Sequence, residues 1–192
     1  MKRSKVFSNT VMLYIMSIAK LLFPLITLPY LTRILTEETY GFVSYVKSCM
    51  VYIQLIVDFG FILSSVKDIV KANGDNDKIG QIAGNTYLSK LLLSGISGIV
   101  LLVMCFTIDI LKLNIFFVIL SFFAVAITAF LADFLFRGIE KMHYITIIYL
   151  IAKGVAVVLT FVFVKNDKTI IYIPILDILT NVISIGISAI II

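Results

Sequence analysis

The stretch LITLPYLTRILTEETYG, Leu25 to Gly41, decides how the whole chain is read. It begins inside one apolar run and ends at the start of another. Between the runs stand Arg33, Thr36, Glu37, Glu38 and Thr39, with Pro29 just inside the first run. An apolar run that meets a charged turn and resumes as a second apolar run is the pattern of two helices crossing a bilayer, joined at its surface. Composition extends this reading outward. Hydrophobic residues make up 61% of the 192 and charged residues 14%, and mean hydropathy is +1.12. A water-soluble domain carries about a quarter of its residues as charges, and one of this size could not hide so much apolar surface. The expected fold class is an all-α polytopic membrane protein.

A spanning helix takes about 20 mainly apolar residues. Six such stretches can be drawn, at about 6–32, 40–65, 82–108, 115–136, 143–164 and 171–192. The first follows a basic MKRSK start, is too long for a secretory leader, and is read as a retained helix. With the N-terminus inside, eight cationic residues lie on the inner side: Lys2, Arg3, Lys5, Lys67, Lys71, Lys78, Arg137 and Lys141. Four lie outside: Arg33, Lys112, Lys165 and Lys168. That asymmetry predicts a cytoplasmic N-terminus and, after six spans, a cytoplasmic C-terminus. The longest joint, Val66 to Gln81, carries NGDND and reads as a surface loop. The other joints are short, which predicts that spans adjacent in sequence are antiparallel neighbours in space. Cys49 and Cys105 both lie in apolar runs and suggest membrane-buried thiols, with neither a disulfide framework nor a metal motif. There is no tryptophan, so any interfacial belt falls to the nine tyrosines.

Polar residues inside the spans recur at helical spacing. Thr10, Ser17, Lys20, Pro24 and Thr27 share one stripe of the first span. Tyr40, Ser44, Lys47, Gln54, Asp58 and Ser65 do so in the second, and Asp177, Thr180, Asn181, Ser184 and Ser188 in the sixth. A weaker stripe in the fifth holds Thr146, Lys153 and Thr160. Lipid penalises such stripes, so they should face other helices or water. Lys20 and Lys153 lie near mid-span, where a charge costs about 2.5–3.5 kcal/mol on insertion scales and demands a partner or a hydrated cavity. Lys47 and Lys90 lie nearer span ends, where the ammonium can snorkel to the interface. Asp58 stands about 16 Å along its helix from Lys47, too far for an ion pair. It opens DFGF, whose glycine suits close helix packing. Asp133 and Arg137, four residues apart, can bridge one another. Ser94 to Gly98, SGISG, is a small-residue packing patch. Pro24 and Pro29 each remove a backbone bond and predict a bent first helix, either a static kink or a gate.

The function classes left open are few. There is no G-x-x-x-x-G-K-[ST] loop and no soluble domain, so this chain carries no ATPase. The single histidine, His143, cannot build a metal site, and no nucleophile–base or paired-carboxylate cluster suggests an enzyme. No cofactor is expected. The net charge of +5 reflects inner joints and intramembrane lysines and does not point to nucleic acid.

LPYLTRILTEETYG (Leu28–Gly41), DFGF (Asp58–Phe61) and FLFRGIEKM (Phe134–Met142) resemble segments of the bacterial polysaccharide flippases. These are the O-antigen and capsule repeat-unit translocases of the multidrug/oligosaccharidyl-lipid/polysaccharide exporter superfamily. Thr36 stands where that family often has glycine. The resemblance implies a two-lobed, MATE-like flippase fold with six helices per lobe, of which 192 residues make one, the N-terminal lobe. It implies a multi-pass protein of the bacterial cytoplasmic membrane that moves an undecaprenyl-diphosphate-linked glycan outward by alternating access. The expected partners are that glycan, the bilayer, and a second lobe or second copy. The implied cavity is cationic, with Lys20, Lys47 and Arg33 as candidate substrate-binding residues beside the mid-span Lys153. Arg33 also suits a helix-end role beside Glu37 or Glu38. Pro24 and Pro29 are the candidate gate. Asp58, Asp133 and Asp177 are candidate ion or proton sites, each with a packing or hydrogen-bonding role as its alternative. The other readings are a cation-coupled multidrug exporter, which would need intramembrane carboxylates for its substrate, and an inactive truncated remnant.

Overall fold

A computed structural model describes residues 2–191, with side chains from Phe7 onward. Met1 and Ile192, the last residue of the expected sixth span, lie outside the described residues, as do the side chains of Lys2, Arg3 and Lys5. The helices are α1 (Lys2–Ile34), α2 (Glu37–Asp58), α3 (Phe61–Lys71), α4 (Asn76–Thr107), α5 (Asp109–Lys112), α6 (Ile115–Ile127), α7 (Asp133–Gly138), α8 (Met142–Phe163) and α9 (Tyr172–Ile191). Short 3-10 turns cover Thr128–Phe130 and Asp167–Thr169. Together they give six helical stretches long and apolar enough to cross a membrane: Phe7–Ile34, Glu37–Lys71, Asn76–Thr107, Ile115–Gly138, Met142–Phe163 and Asp167–Ile191. Large apolar side chains such as Leu63 and Phe106 are 79% exposed. A surface of that kind is solvated by lipid, and the protein is a multi-pass membrane protein.

The helix ends follow local chemistry. Thr36 is the N-cap of α2: its backbone is extended and its hydroxyl accepts from the Thr39 amide. Glu37 and Glu38 follow in the first turn, where carboxylates favour the helix dipole. The Thr36 amide in turn donates to Asp167 Oδ1 at 3.0 Å, which fastens the α1–α2 joint to the α8–α9 joint. At the opposite end α4 opens on Asp75, whose carboxylate accepts from the Lys78 amide and pairs with Lys78 Nζ at 2.9 Å. The Lys78 side chain, then its amide, hold the Asp75 carboxyl below the usual carboxylate range, so this cap stays charged to lower pH than an ordinary aspartate would allow.

Two expectations are corrected here. The segment from Val66 to Gln81 is not a loop. α3 runs to Lys71 and α4 starts at Asn76, leaving a tight turn in which Asn73 (φ 49°) and Gly74 (φ 85°) take left-handed backbone. The polar residues there are helix surface and turn, which composition alone does not separate from loop. The first span, moreover, does not lie chiefly against the second. α1 packs along α8 and touches α2 only sparingly. The reason lies in its bonds: the Tyr30 hydroxyl reaches Val164 O at 2.7 Å and Phe161 O at 3.0 Å, and Thr146 Oγ1 donates to Met12 O at 3.0 Å. From α8 the packing passes to α9, then α6, α2 and α4.

The apolar interior divides in two. One core gathers Leu31, Leu35, Phe42, Val46, Phe117 and Val164 at the end where α1 meets α2. The other gathers Met16, Ile69, Phe134, Phe136 and Ile145 at the N-terminal end. In the second core Gly138 is a steric requirement. A Cβ there would sit 2.5 Å from Ile69 Cγ2 and 2.7 Å from Ile69 Cβ. Ile69 is buried and β-branched, so it has little room to turn aside. Gly138→Ala should therefore destabilise the chain by about 1–3 kcal/mol, read as a fall in melting temperature in detergent. The Gly138→Ala/Ile69→Ala pair should lose less than the sum of the two single changes.

Candidate functional site

Between the two cores lies a belt of polar side chains at mid-membrane depth. Lys47 is ten residues into α2 and Lys153 ten residues before the end of α8, so each lies about 15 Å from the end of the bundle where α1 meets α2. Lys20 lies fourteen residues from the end of α1, about 21 Å from that same face. α1 follows α8 and touches α2 only sparingly, so Lys20 is carried along α8 while Lys47 stands on α2. Lys20 is exposed, with Nζ 5.5 Å from the centre of the Tyr149 ring. Tyr149 is one turn from Lys153, and Lys153 Nζ meets Asp177 Oδ1 at 2.7 Å. Lys47, also exposed, feels the charges of both Asp177 and Lys153.

The charges of this group do not cancel. Lys153 and Asp177 neutralise one another, with each side chain about one-third exposed. Lys20 and Lys47 have no carboxylate within 4.0 Å among the described residues. A ring face gives Lys20 about 0.5–2 kcal/mol of cation–π attraction, well short of a counter-charge. For two ammonium groups without a paired carboxylate, attraction for an anion rises as the local dielectric falls.

A second network stands deeper in the bundle and corrects the reading of Lys90. That side chain does not snorkel: it is 4% exposed and Nζ meets Asp58 Oδ1 at 2.9 Å. The other Asp58 oxygen accepts from Gln54 Nε2 at 2.8 Å, and Gln54 Oε1 accepts from Thr128 Oγ1 at 3.0 Å. Lys90 Nζ also stands 5.9 Å from the Phe134 ring centre. The network ties the second, third and fourth spans together with both Asp58 oxygens engaged. Its signal was present in the sequence: Thr86, Lys90, Ser94 and Ser97 form an inward stripe on α4, and all four are buried.

The remaining predicted residues separate. The glycine of DFGF is not a packing glycine. Nothing lies within 4 Å of a Cβ built on Gly60, whose φ of +79° is the reason for glycine there. Asp133 and Arg137 do not reach ion-pair distance, and Arg137 Nε is buried without a hydrogen-bond partner. Among the described residues the Asp133 side chain finds no hydrogen-bond partner, and it lies in the field of Arg137, Lys20, Lys90 and Asp58. Arg33 is exposed in the last turn of α1, with no ion pair to Glu37 or Glu38, away from the three lysines. α1 continues through Pro24 and Pro29 as one helix. The two prolines release the carbonyls of Lys20 and Leu25 from their i→i+4 bonds. The His143 ring lies against Tyr144, and no group of three potential metal ligands occurs among the described residues.

If the Lys90–Asp58 pair is structural, Asp58→Asn should cost about 3–5 kcal/mol because it strands a buried ammonium. Asp58→Asn/Lys90→Met should recover most of that loss in a double-mutant cycle of unfolding in detergent.

A family model described as polysaccharide biosynthesis protein matches residues 6–192. The chain is 36% identical over 163 residues to a Shigella dysenteriae protein named "Putative O-antigen transporter", covering 85% of this chain and 41% of that one. It is 31% identical over 164 residues to a protein of the same name from Escherichia coli strain K12, covering 84% and 39%. The chain thus spans about two fifths of the length of these curated relatives. No solved structure matches it.

Proposed function

Because the chain belongs to the polysaccharide biosynthesis protein family, we propose that it is the substrate-gripping lobe of a flippase. Its substrate is an undecaprenyl-diphosphate-linked oligosaccharide repeat unit, carried outward across the bacterial cytoplasmic membrane. The observation that carries this reading is the pair Lys20 and Lys47, far from the helix ends and with no carboxylate within 4.0 Å among the described residues. A diphosphate supplies the negative charges that two such ammonium groups lack, while its lipid tail stays in the bilayer. A cationic drug would meet the same ammonium groups as repulsion, which disfavours the exporter alternative. A second lobe or second copy, in MATE-like fashion, closes the open side of the site.

The remaining residues take roles in this scheme. Lys153 is held by Asp177 while the site is empty and turns toward the diphosphate when it arrives. Asp177 then acts as the returning counter-charge that helps release. Asp58 serves as a structural counterion to Lys90. Asp133, whose side chain has no hydrogen bond or ion pair among the described residues, is the carboxylate best placed to carry a coupling proton or cation. Pro24 frees the carbonyl of Lys20 itself, so flexure of α1 during alternating access would fall at the gripping residue. Arg33 serves the end of α1 rather than the substrate.

The test is complementation of a flippase-null strain by these 192 residues, alone and together with the second lobe of a full-length homologue, scored as surface polysaccharide. Lys20→Met and Lys47→Met should each lower export by about a hundredfold, two hydrogen-bonded charge contacts' worth, and Lys20→Arg should retain most of it. Unchanged export with both lysines replaced would overturn the reading. Failure of every pairing, with insertion demonstrated, would favour the remnant alternative. Asp177→Asn should tighten binding of undecaprenyl diphosphate to purified protein and yet slow export, because the counter-charge for release is gone.

A further inference from the structure

The second and fourth spans are broken in mid-course, and both breaks lie at the same level. In the second span α2 ends at Asp58, Phe59 and Gly60 both take left-handed backbone (φ 31° and 79°), and α3 restarts at Phe61. A phenylalanine at positive φ is a strained choice, sustained only where its surroundings demand it. In the fourth span the helix tightens to a 3-10 turn over Thr128–Phe130, Leu131 is extended (ψ 131°), and α7 restarts at Asp133. The Lys90 network marks the shared level. It holds Asp58 just before the first break, reaches Thr128 through Gln54 just before the second, and places its ammonium over Phe134 just after it.

The two restarted pieces belong to each other. α3 and α7 pack together, with Gly138 of α7 against the Ile69 side chain of α3. Both belong to the N-terminal-end core, whereas α2 and α6 belong to the other. The four remaining spans pass the same level unbroken. We propose that α3 and α7 form a two-helix flap at the N-terminal end of the bundle, which opens as one body about hinges at Phe59–Gly60 and Leu131–Ala132.

The flap closes on the N-terminal-end core, where Ile69, Phe134, Leu135 and Phe136 are buried with Met16, Ile145 and Ile148, and few polar ties add to that packing. Ser65 Oγ of α3 lies 2.8 Å from Thr86 Oγ1 of α4 in the buried interior. Phe134 and Phe136 of α7 meet Tyr87 and Tyr144 edge-on or tilted. Asp133 is the first residue of the flap's second helix and lies in the field of Lys20 and Lys90. Opening therefore moves a carboxylate relative to Lys20. That last step, which links the flap to the cationic site, rests on the function proposed above; the flap itself does not.

The test is amide hydrogen exchange of the 192-residue chain in lipid nanodiscs, followed by peptide. In the unmodified chain, peptides from 61–71 and 133–138 should exchange at one common rate, faster than those from 39–58 and 117–127. Thr86→Val removes the tie to α3 together with the hydroxyl's bond to Ile82 O within α4, and touches neither α2 nor α6. It should accelerate α3 and α7 by the same factor, roughly tenfold for one interhelix hydrogen bond, and leave α2 and α6 unchanged. Acceleration of α3 alone, equal acceleration of α2 and α6, no acceleration at all, or protection of α3 and α7 equal to that of α2 in the unmodified chain would each overturn the flap. Export measured in parallel with Lys20→Met reports on the function separately, so a flap without export and export without a flap are distinct results.

Discussion

An ammonium or carboxylate placed in hydrocarbon must find a counter-charge, a hydrogen-bond partner or water, and this requirement organises the interior of the chain. It turns the polar stripes of α2, α4, α8 and α9 toward one another and leaves apolar side chains such as Leu63 and Phe106 to the lipid. It also explains why the apolar interior is two cores rather than one. The belt of Lys90, Asp58, Gln54, Thr128, Lys153 and Asp177 lies between them. Neither core can extend through that level without burying unpaired polar groups.

The belt treats its lysines in two ways. Lys90 and Lys153 are satisfied within the bundle by Asp58 and Asp177. Lys20 and Lys47 are exposed and have no carboxylate within 4.0 Å among the described residues. Buried ion pairs contribute little net stability against apolar replacements but define which helices meet and in what register. Uncompensated cations cost stability and are tolerated where something outside the fold repays them. The division between paired and unpaired lysines is thus also a division between what holds this bundle together and what the proposed function draws on.

The spans and their polar faces were legible from composition and helical spacing, because a bilayer permits few alternatives to an apolar helix. The partners were not. Lys90 and Asp58 are 32 residues apart and Lys153 and Asp177 are 24 apart, and only the order of helices around the bundle brings each pair together. That order depends on contacts such as Tyr30 with the end of α8, which leave no periodic trace. DFGF could be recognised as a motif, yet its glycine serves backbone conformation rather than contact, and the two uses look alike in a sequence. Gly138 shows the converse: its need to be glycine comes from Ile69, 69 positions earlier in the chain.

Tyr30 has one more consequence. Its hydroxyl closes the carbonyls at the end of α8, groups that a helix end otherwise leaves to water. Thr146 makes a comparable bond to Met12 near the opposite end of the same two helices. Pinned near both ends, α1 and α8 are held against sliding past one another by a helical turn. The bond from Thr36 to Asp167 fastens the same edge to the neighbouring joint. Freedom is left to the stretch between the pins, where Pro24 and Pro29 release the carbonyls of Lys20 and Leu25. A helix tethered at its ends and loosened in its middle gives by bowing.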